Sequence, residues 1–234
     1  MKEQRSAPAR RPTDPSGKHR VLVVDDHPIV RQGLTLLIDR EPDLMVCGQA
    51  EEAHSAAHAI ATLRPDIVLL DISLNGPDGL ELLKQIRTRD ADLPVLILSM
   101  HDETIYAERV LRAGANGYIM KQEATDLVLT AIRRILDGQV YVPERVANTL
   151  LTRYARGSAA GPQSPLDVLS DRELEVFRLI GEGSSTRQIA EVLHLSVKTV
   201  ESYQAHIKEK LAFRNARELQ HHAIEWTISE KARS

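Results

Sequence analysis

The sequence predicts a five-stranded parallel, doubly wound α/β domain followed by a small all-α domain built around a helix-turn-helix. Three observations predict it. Short apolar runs alternate with helical patterns from Arg20 to Asp137. Aspartates close the first and third of those runs, Asp25-Asp26 and Asp71. From Gly138 to Pro165 the texture turns to Gly, Ser and Pro, and from Leu166 onward only helix signals are convincing.

The strand candidates are Val21–Val24, Leu44–Gly48, Ile67–Leu70, Val95–Ser99 and Gly117–Met120. Helical patterns lie between them. Pro28 suits a first turn, and Ile29, Val30, Gly33, Leu34, Leu37 and Ile38 follow at helical spacing. Ala53–Leu63 is Ala-rich. Leu80, Leu83 and Ile86 mark the next helix, and Ile105, Val110 and Leu111 another that Gly114 closes. Leu127, Val128, Ala131, Ile132 and Ile135 make the last, closed by Gly138. Val146–Tyr154 reads as a short helix inside the linker. Beyond it, Ser170 with Glu173 and Ser185 with Gln188 are capping boxes, and Ser196 opens a third helix.

The domain boundaries expected are a disordered tail at 1–18, an α/β domain at 19–137, a linker at 138–165 and a helix-turn-helix domain at 166–234. Hydrophobic residues are 42% and charged residues 27% of 234, enough for two soluble cores. A formal net charge of -3 announces no global nucleic-acid binder, so any basic surface must be local. Cys47 is the only cysteine, which excludes an intrachain disulfide and suits a reducing cytoplasm. No apolar run is long enough to span a bilayer, and the tail is not a secretory signal, so no membrane association is expected.

In an open α/β sheet, ligands bind in the crevice at the carboxyl ends of the strands. Asp25, Asp26 and Asp71 would meet there and repel one another unless protons or a cation intervene. A hard divalent cation with oxygen ligands resolves this, and Mg²⁺ is the ion expected. A carboxylate beside Mg²⁺ can accept a phosphoryl group. Ser99 ends the fourth strand and could donate its hydroxyl to a phosphoryl oxygen. Lys121 follows the fifth and offsets phosphoryl charge. Each residue alone has a bland reading: a lone Asp after a strand is usually a turn former, a lone Lys a solvated charge. Together, at successive strand ends, they point to a phosphoacceptor site.

At these residues the domain resembles the receiver domain of two-component response regulators. The matches are Val23-Val24-Asp25-Asp26-His27, Leu70-Asp71-Ile72-Ser73-Leu74 with Asp78-Gly79, Leu98-Ser99, and Ala113-Gly114-Ala115-Asn116-Gly117-Tyr118-Ile119-Met120-Lys121. The resemblance implies a flavodoxin-like fold, with Asp71 accepting phosphate from a sensor histidine kinase. It implies that Asp25, Asp26, Asp71 and the backbone carbonyl of Ser73 hold Mg²⁺. It also implies that Ser99 and Tyr118 form a switch pair. Two positions depart from the commonest pattern: Asn75, with Pro77 later, where many receivers have Pro, and Gln122 after Lys121. Ser73 and His101 stand where the family tunes phosphate lifetime.

The third C-terminal helix, expected at Val197–Leu211, has two faces. Val197, Val200, Gln204, Ile207 and Leu211 are expected inward; Lys198, Glu201, Ser202, Ala205, Lys208 and Glu209 outward. Short polar groups on its first turns could meet base edges, and Thr199 with the free N–H groups of the first turn could bind phosphate. Acids and bases nearly cancel here, so charge alone would give a solvated face. The pattern Leu169-Ser170-Asp171-Arg172-Glu173-Leu174, Gly183, Ile189-Ala190, Leu195-Ser196-Val197-Lys198-Thr199-Val200-Glu201 and Ile207-Lys208-Glu209-Lys210-Leu211 resembles the LuxR-type helix-turn-helix. The whole chain from about residue 20 is thus similar to a NarL/FixJ-class response regulator.

That resemblance implies a homodimer on double-stranded promoter DNA. Glu201, Ser202 and Ala205 would face bases. Arg187, Lys198, Thr199, Tyr203 and Lys208 would be the other DNA-contacting candidates, Tyr203 standing where the family usually has His. Leu219, Ala223 and Trp226 recur at helical spacing on the last helix, as core or as dimer surface. His221 and His222 are adjacent and point to different helix faces, so no metal site is expected there. His54 and His58, four apart, lack a third ligand. Two rivals remain. A Mg²⁺-dependent phosphohydrolase would need a second acid two residues after Asp71, where Ser73 stands. A phosphorylation-independent binder would have no use for the full acidic set.

Overall fold

A computed structural model describes residues 17–74, 79–99, 103–155, 165–193 and 195–231. The tail at 1–16, the loop residues Asn75, Pro77 and Asp78, the lifetime position His101 and the Gly/Ser/Pro stretch at 156–164 lie outside them. The chain divides into two compact units, Met1–Tyr154 and Ala155–Ser234.

The first unit alternates β1 (His19–Val24), α1 (Pro28–Asp39), β2 (Leu44–Ala50), α2 (Ala53–Leu63), β3 (Ile67–Asp71), α3 (Gly79–Arg89), β4 (Val95–Ser99), α4 (Glu103–Arg112), β5 (Gly117–Met120), α5 (Ala124–Leu136) and α6 (Glu144–Ala155). The five strands form one sheet in the order β2-β1-β3-β4-β5, all pairs parallel. The order reverses between β1 and β3, and those two strands end in the acids. Their runs are apolar throughout because both sheet faces are covered. Val21, Val23, Ile67, Leu69, Leu96, Leu98 and Ile119 pack on Leu34 and Ile38 of α1 and Val128, Ala131, Ile132 and Ile135 of α5. Their strand neighbours Leu22, Val24, Val68, Leu70, Ile97 and Tyr118 turn to the opposite face and are equally buried.

The amino end of the sheet is braced by Arg87 at the close of α3. Its guanidinium donates to the carbonyls of Gly114 (2.7 Å), Leu93 (2.7 Å) and Asp90 (3.3 Å) and to Oδ1 of Asn116 (2.9 Å). Asn116 Oδ1 also accepts from the N–H of Val95 (2.9 Å), so one side chain ties the starts of β4 and β5 together.

Two edges differ from the sequence expectation. Lys18, placed in the tail, donates to the carbonyls of Glu41 (3.0 Å) and Leu44 (3.3 Å) and is fastened to the domain. Past Gly138, Tyr141 forms a bridge with Gly117, and its carbonyl accepts from the N–H of Tyr118 (2.9 Å). The change of texture at 138 therefore precedes the end of the sheet's hydrogen bonding. The free edge of β5 takes up the passing backbone because its polar groups need partners.

The second unit comprises α7 (Asp171–Gly181), α8 (Thr186–Val192), α9 (Val197–Lys210) and α10 (Ala216–Lys231). Ser170 with Glu173 and Ser185 with Gln188 form reciprocal capping boxes, and Ser196 accepts from the N–H of Thr199. Leu169, Phe177, Ile189, Val200, Ile207, Leu219 and Ala223 are buried together with Val176 in its core. Glu173 also accepts from Lys210 Nζ at 2.7 Å, joining α7 to the end of α9. Burial raises the Glu173 carboxyl, but the bonds from Lys210 and Ser170 outweigh it and hold it below the usual glutamate range. A depressed folded value stabilises the fold above the unfolded pKa of about 4.3 and withdraws that stability as pH falls through the folded one. We expect the thermal midpoint of this unit to drop on acidification below pH ~4.5, and to drop less in Glu173→Gln, by calorimetry.

Candidate functional site

The register of the sheet delivers the expected acids to one place. Asp71 closes β3 and is fully buried; Asp25 follows β1 at 1% exposure. Lys121, one residue beyond β5, reaches across with Nζ 2.8 Å from Asp71 Oδ2 and 2.7 Å from Asp25 Oδ2. One ammonium thus bridges the two carboxylates that sequence reasoning had only placed at neighbouring strand ends. Asp71 Oδ1 accepts from the N–H of Ser73 at 2.9 Å, which fixes the carboxylate plane and brings the Ser73 backbone beside it. Burial is the first cause pushing the Asp71 carboxyl above its ordinary value; Lys121 opposes it and the charge of Asp25 adds to it.

Asp26 joins the group through His27. His27 Nδ1 lies 2.6 Å from Asp26 Oδ1 and 3.2 Å from Asp25 Oδ1, and its N–H donates to Asp25 Oδ1 at 2.8 Å. One ligand atom from each of Asp25, Asp26, His27 and Asp71 lies within 4.8 Å of the others. A compact set of carboxylate oxygens, with too few cations to neutralise it, fits a hard divalent ion. Ser99 ends β4, fully buried, one residue beyond Leu98, the register partner of Asp71; Tyr118 is fully buried within β5. Ser99 therefore stands on the strand beside that of Asp71, and Tyr118 one strand further out.

Three residues of this site escaped the sequence reading. His27, between Asp26 and Pro28, stands at the N-cap of α1. Arg31, one turn into α1, donates to the backbone carbonyl of Asp25 at 2.6 Å. Gly79 starts α3 against the Asp71 carbonyl, and a Cβ there would collide with that oxygen and come 2.7 Å from the Ile72 Cα. Only the folded end of β3 beside the start of α3 reveals this last contact.

The second unit presents α9 as expected on most positions. Lys198, Glu201, Ser202, Ala205 and Glu209 are exposed; Tyr203 and Lys208 are half-buried. Arg187 of α8 is 85% exposed and pairs with Glu191 at 3.5 Å. Gln204 Nε2 donates to Thr186 Oγ1 at 3.2 Å, locking α9 onto α8.

Four expectations need correction. Val197, expected inward, is 43% exposed, because the first residue of the helix precedes its contact with α7 and α8. Leu211, also expected inward, is only partly buried at the C-cap. The N–H of Thr199 is not free for phosphate: it donates to Ser196 Oγ at 3.0 Å, and the two hydroxyls are 2.7 Å apart. Leu219 and Ala223, candidates for a dimer surface, are buried at 2% and 0% within their own unit. The spacing that would face a partner faces α7 instead, with Trp226 against Phe177 at 5.8 Å. The apolar groups that α10 leaves outside are Ile224 and Ile228.

Comparison with known proteins agrees with this arrangement. Residues 21–133 match the response regulator receiver domain, and residues 167–223 match the bacterial regulatory proteins of the luxR family. The oxygen regulatory protein NreC of Staphylococcus aureus (strain bovine RF122 / ET3-1) is 34% identical over 215 residues, covering 90% of this chain and 99% of NreC. The RcsB response regulator of Salmonella typhimurium superposes with a TM-score of 0.54 at 27% identity, over 88% of this chain and 98% of RcsB. A structure of two RcsB dimers bound to two parallel DNAs gives 0.54 at 27% identity, over 87% and 97%. The chain belongs to the two-component response regulators of the NarL/FixJ class, transcription regulators that join a receiver domain to a LuxR-type DNA-binding domain.

Proposed function

We propose that Asp71 is the phosphoacceptor of this regulator. The bridging of Asp71 and Asp25 by the buried Lys121 carries the reading: it is an anion site with its own counter-cation, open to a further charge. An Asp71 oxygen attacks the phosphorus of a sensor histidine kinase's phosphohistidine. The P–N bond breaks and the imidazole keeps the electron pair. Lys121 then moves from carboxylate to phosphoryl oxygen. Asp25, Asp26, Asp71 and the Ser73 carbonyl would hold Mg²⁺, which when bound supplies positive charge to the crowded oxygens. The chemistry is self-modification, not turnover of a substrate.

Ser99 donates its hydroxyl to the phosphoryl group, and the ring of Tyr118 follows into the space it leaves. Since that ring is already buried, the switch is a repacking of the β4–β5 face rather than a burial event. The receiver at 19–137 is read as input, 138–165 as linker and 166–234 as the DNA reader. Arg187, Lys198, Thr199, Tyr203 and Lys208 serve phosphates or groove walls; Glu201, Ser202 and Ala205 face base edges. A homodimer on double-stranded DNA is supported by the RcsB dimers on DNA, with the exposed Ile224 and Ile228 as its helix surface in place of Leu219, Ala223 and Trp226, which share the face turned to α7. Among the described residues no helix is long and apolar enough to cross a membrane. We place the protein in the cytoplasm, where a single reduced Cys47 belongs.

DNA-site selection with and without beryllofluoride and Mg²⁺ tests the reading. The expected result is a two-fold-related site enriched with the phosphoryl mimic. Equal enrichment in both arms would reject phosphoryl control.

A further inference from the structure

The structure assigns a second metal site to α10, formed by His221, His222 and Glu225, for a late first-row divalent cation such as Zn²⁺. Adjacent helical residues diverge by about 100°, which argued against His221 and His222 as a pair. Glu225, however, is four residues after one and three after the other, and both spacings are neighbours on a helix surface. The carboxylate is their common neighbour. His221 Nδ1 lies 3.4 Å and His222 Nδ1 3.5 Å from the same oxygen, Glu225 Oε2. One ligand atom from each of the three is within 4.8 Å of the other two.

The rings are arranged rather than splayed at random. The two imidazoles meet edge to face at 88° with centroids 5.7 Å apart. His222 is stacked on Phe213 at 4.8 Å and 3°, which limits its ring to one plane before any ion arrives. Two imidazole nitrogens and one carboxylate oxygen are a borderline donor set that suits Zn²⁺, Ni²⁺ or Cu²⁺ rather than Mg²⁺. Three protein ligands on an exposed face leave a position for water. The cluster beside Asp71, with three carboxylates to the one imidazole of His27, is richer in oxygen and suits a harder ion.

Zn²⁺ titrated into the full chain against a colorimetric zinc chelator, with Mg²⁺ in excess to fill the acidic cluster, tests the site. We expect the wild type to withdraw a single equivalent. His221→Ala and Glu225→Gln should each weaken that binding by at least about tenfold, and the His221→Ala, His222→Ala double variant should abolish it. The side chains of His221 and Glu225 are exposed and make no ring stack on the core, so these two single variants keep the thermal midpoint of the wild type. Unchanged zinc affinity in the double variant, or no withdrawal by the wild type, would overturn the assignment.

Discussion

Asp71→Asn abolishes every phosphoryl-dependent change in DNA affinity while raising the thermal midpoint of the Mg²⁺-free protein at neutral pH. The first half follows from chemistry: an amide oxygen forms no acyl phosphate under these conditions. Coupling between sites in proteins is typically about 5- to 150-fold, so the wild type should gain on the order of tenfold or more in DNA affinity with acetyl phosphate and Mg²⁺. The variant should gain nothing. Phosphate incorporation into Asp71→Asn from the same donor would sink the assignment.

The second half follows from electrostatics. The folded Asp71 carboxyl sits above its ordinary value, through burial first, with Asp25 adding to it and Lys121 opposing. A raised folded value means that the ionised form is penalised by folding. Stability is then fully present below the unfolded pKa of about 3.9 and is lost as pH rises through the folded one. Asn carries no charge at any pH and escapes that loss. The difference in midpoint between wild type and variant should shrink as pH falls toward ~4, and shrink again when Mg²⁺ supplies the missing positive charge. A variant less stable than wild type at neutral pH would mean that the Lys121 ion pair dominates the site.

Gly79→Ala should damage fold and phosphorylation together. Its Cβ would strike the Asp71 carbonyl oxygen and come 2.7 Å from the Ile72 Cα and 2.9 Å from the Ile72 oxygen, all backbone atoms with no rotamer to yield. The Gly79 N–H already donates to that Ile72 oxygen at 3.1 Å, so the close approach is held by a bond. Overpacking of this kind costs about 1–3 kcal/mol. The relief available is a shift of the start of α3 against the end of β3, where Asp71 stands. A displacement of about 1 Å at a reacting group lowers rate by as much as about 10²-fold. Calorimetry and the rate of labelling by acetyl phosphate measure the two effects. Gly33→Ala is the matched control: its Cβ meets nothing within 4 Å, and α1 should gain up to about 1 kcal/mol. If both variants label at the wild-type rate, Gly79 has no part in placing Asp71.

The strands were legible because a sheet covered on both faces demands unbroken apolar runs, and Ile67–Leu70 and Val95–Leu98 have them. The caps were legible because Ser170, Ser185 and Ser196 act within three residues of themselves. Contacts across the sheet were not. Nothing local says that Lys121 spans Asp71 to reach Asp25, which lies two strands from β5's own neighbour. Nor can helical spacing decide what a stripe packs against. Leu219 and Ala223 would show the same period facing a partner or facing α7, and burial alone separates the two. Adjacency in sequence separates His221 from His222, and only the helical turn they share with Glu225 brings the three together.

The brace at Arg87 gives the receiver a stiff base. The loops before β4 and β5 hang on one guanidinium at the end of the sheet opposite Asp71, Ser99 and Lys121. When the upper rims of β4 and β5 repack, their lower ends cannot slide with them. Motion must then pivot about that base, like the blades of a fan, and be largest at the rim. Under the proposed switch, a small rearrangement at the buried Asp71 would be delivered as a displacement of surface rather than dissipated as a shear of the whole sheet.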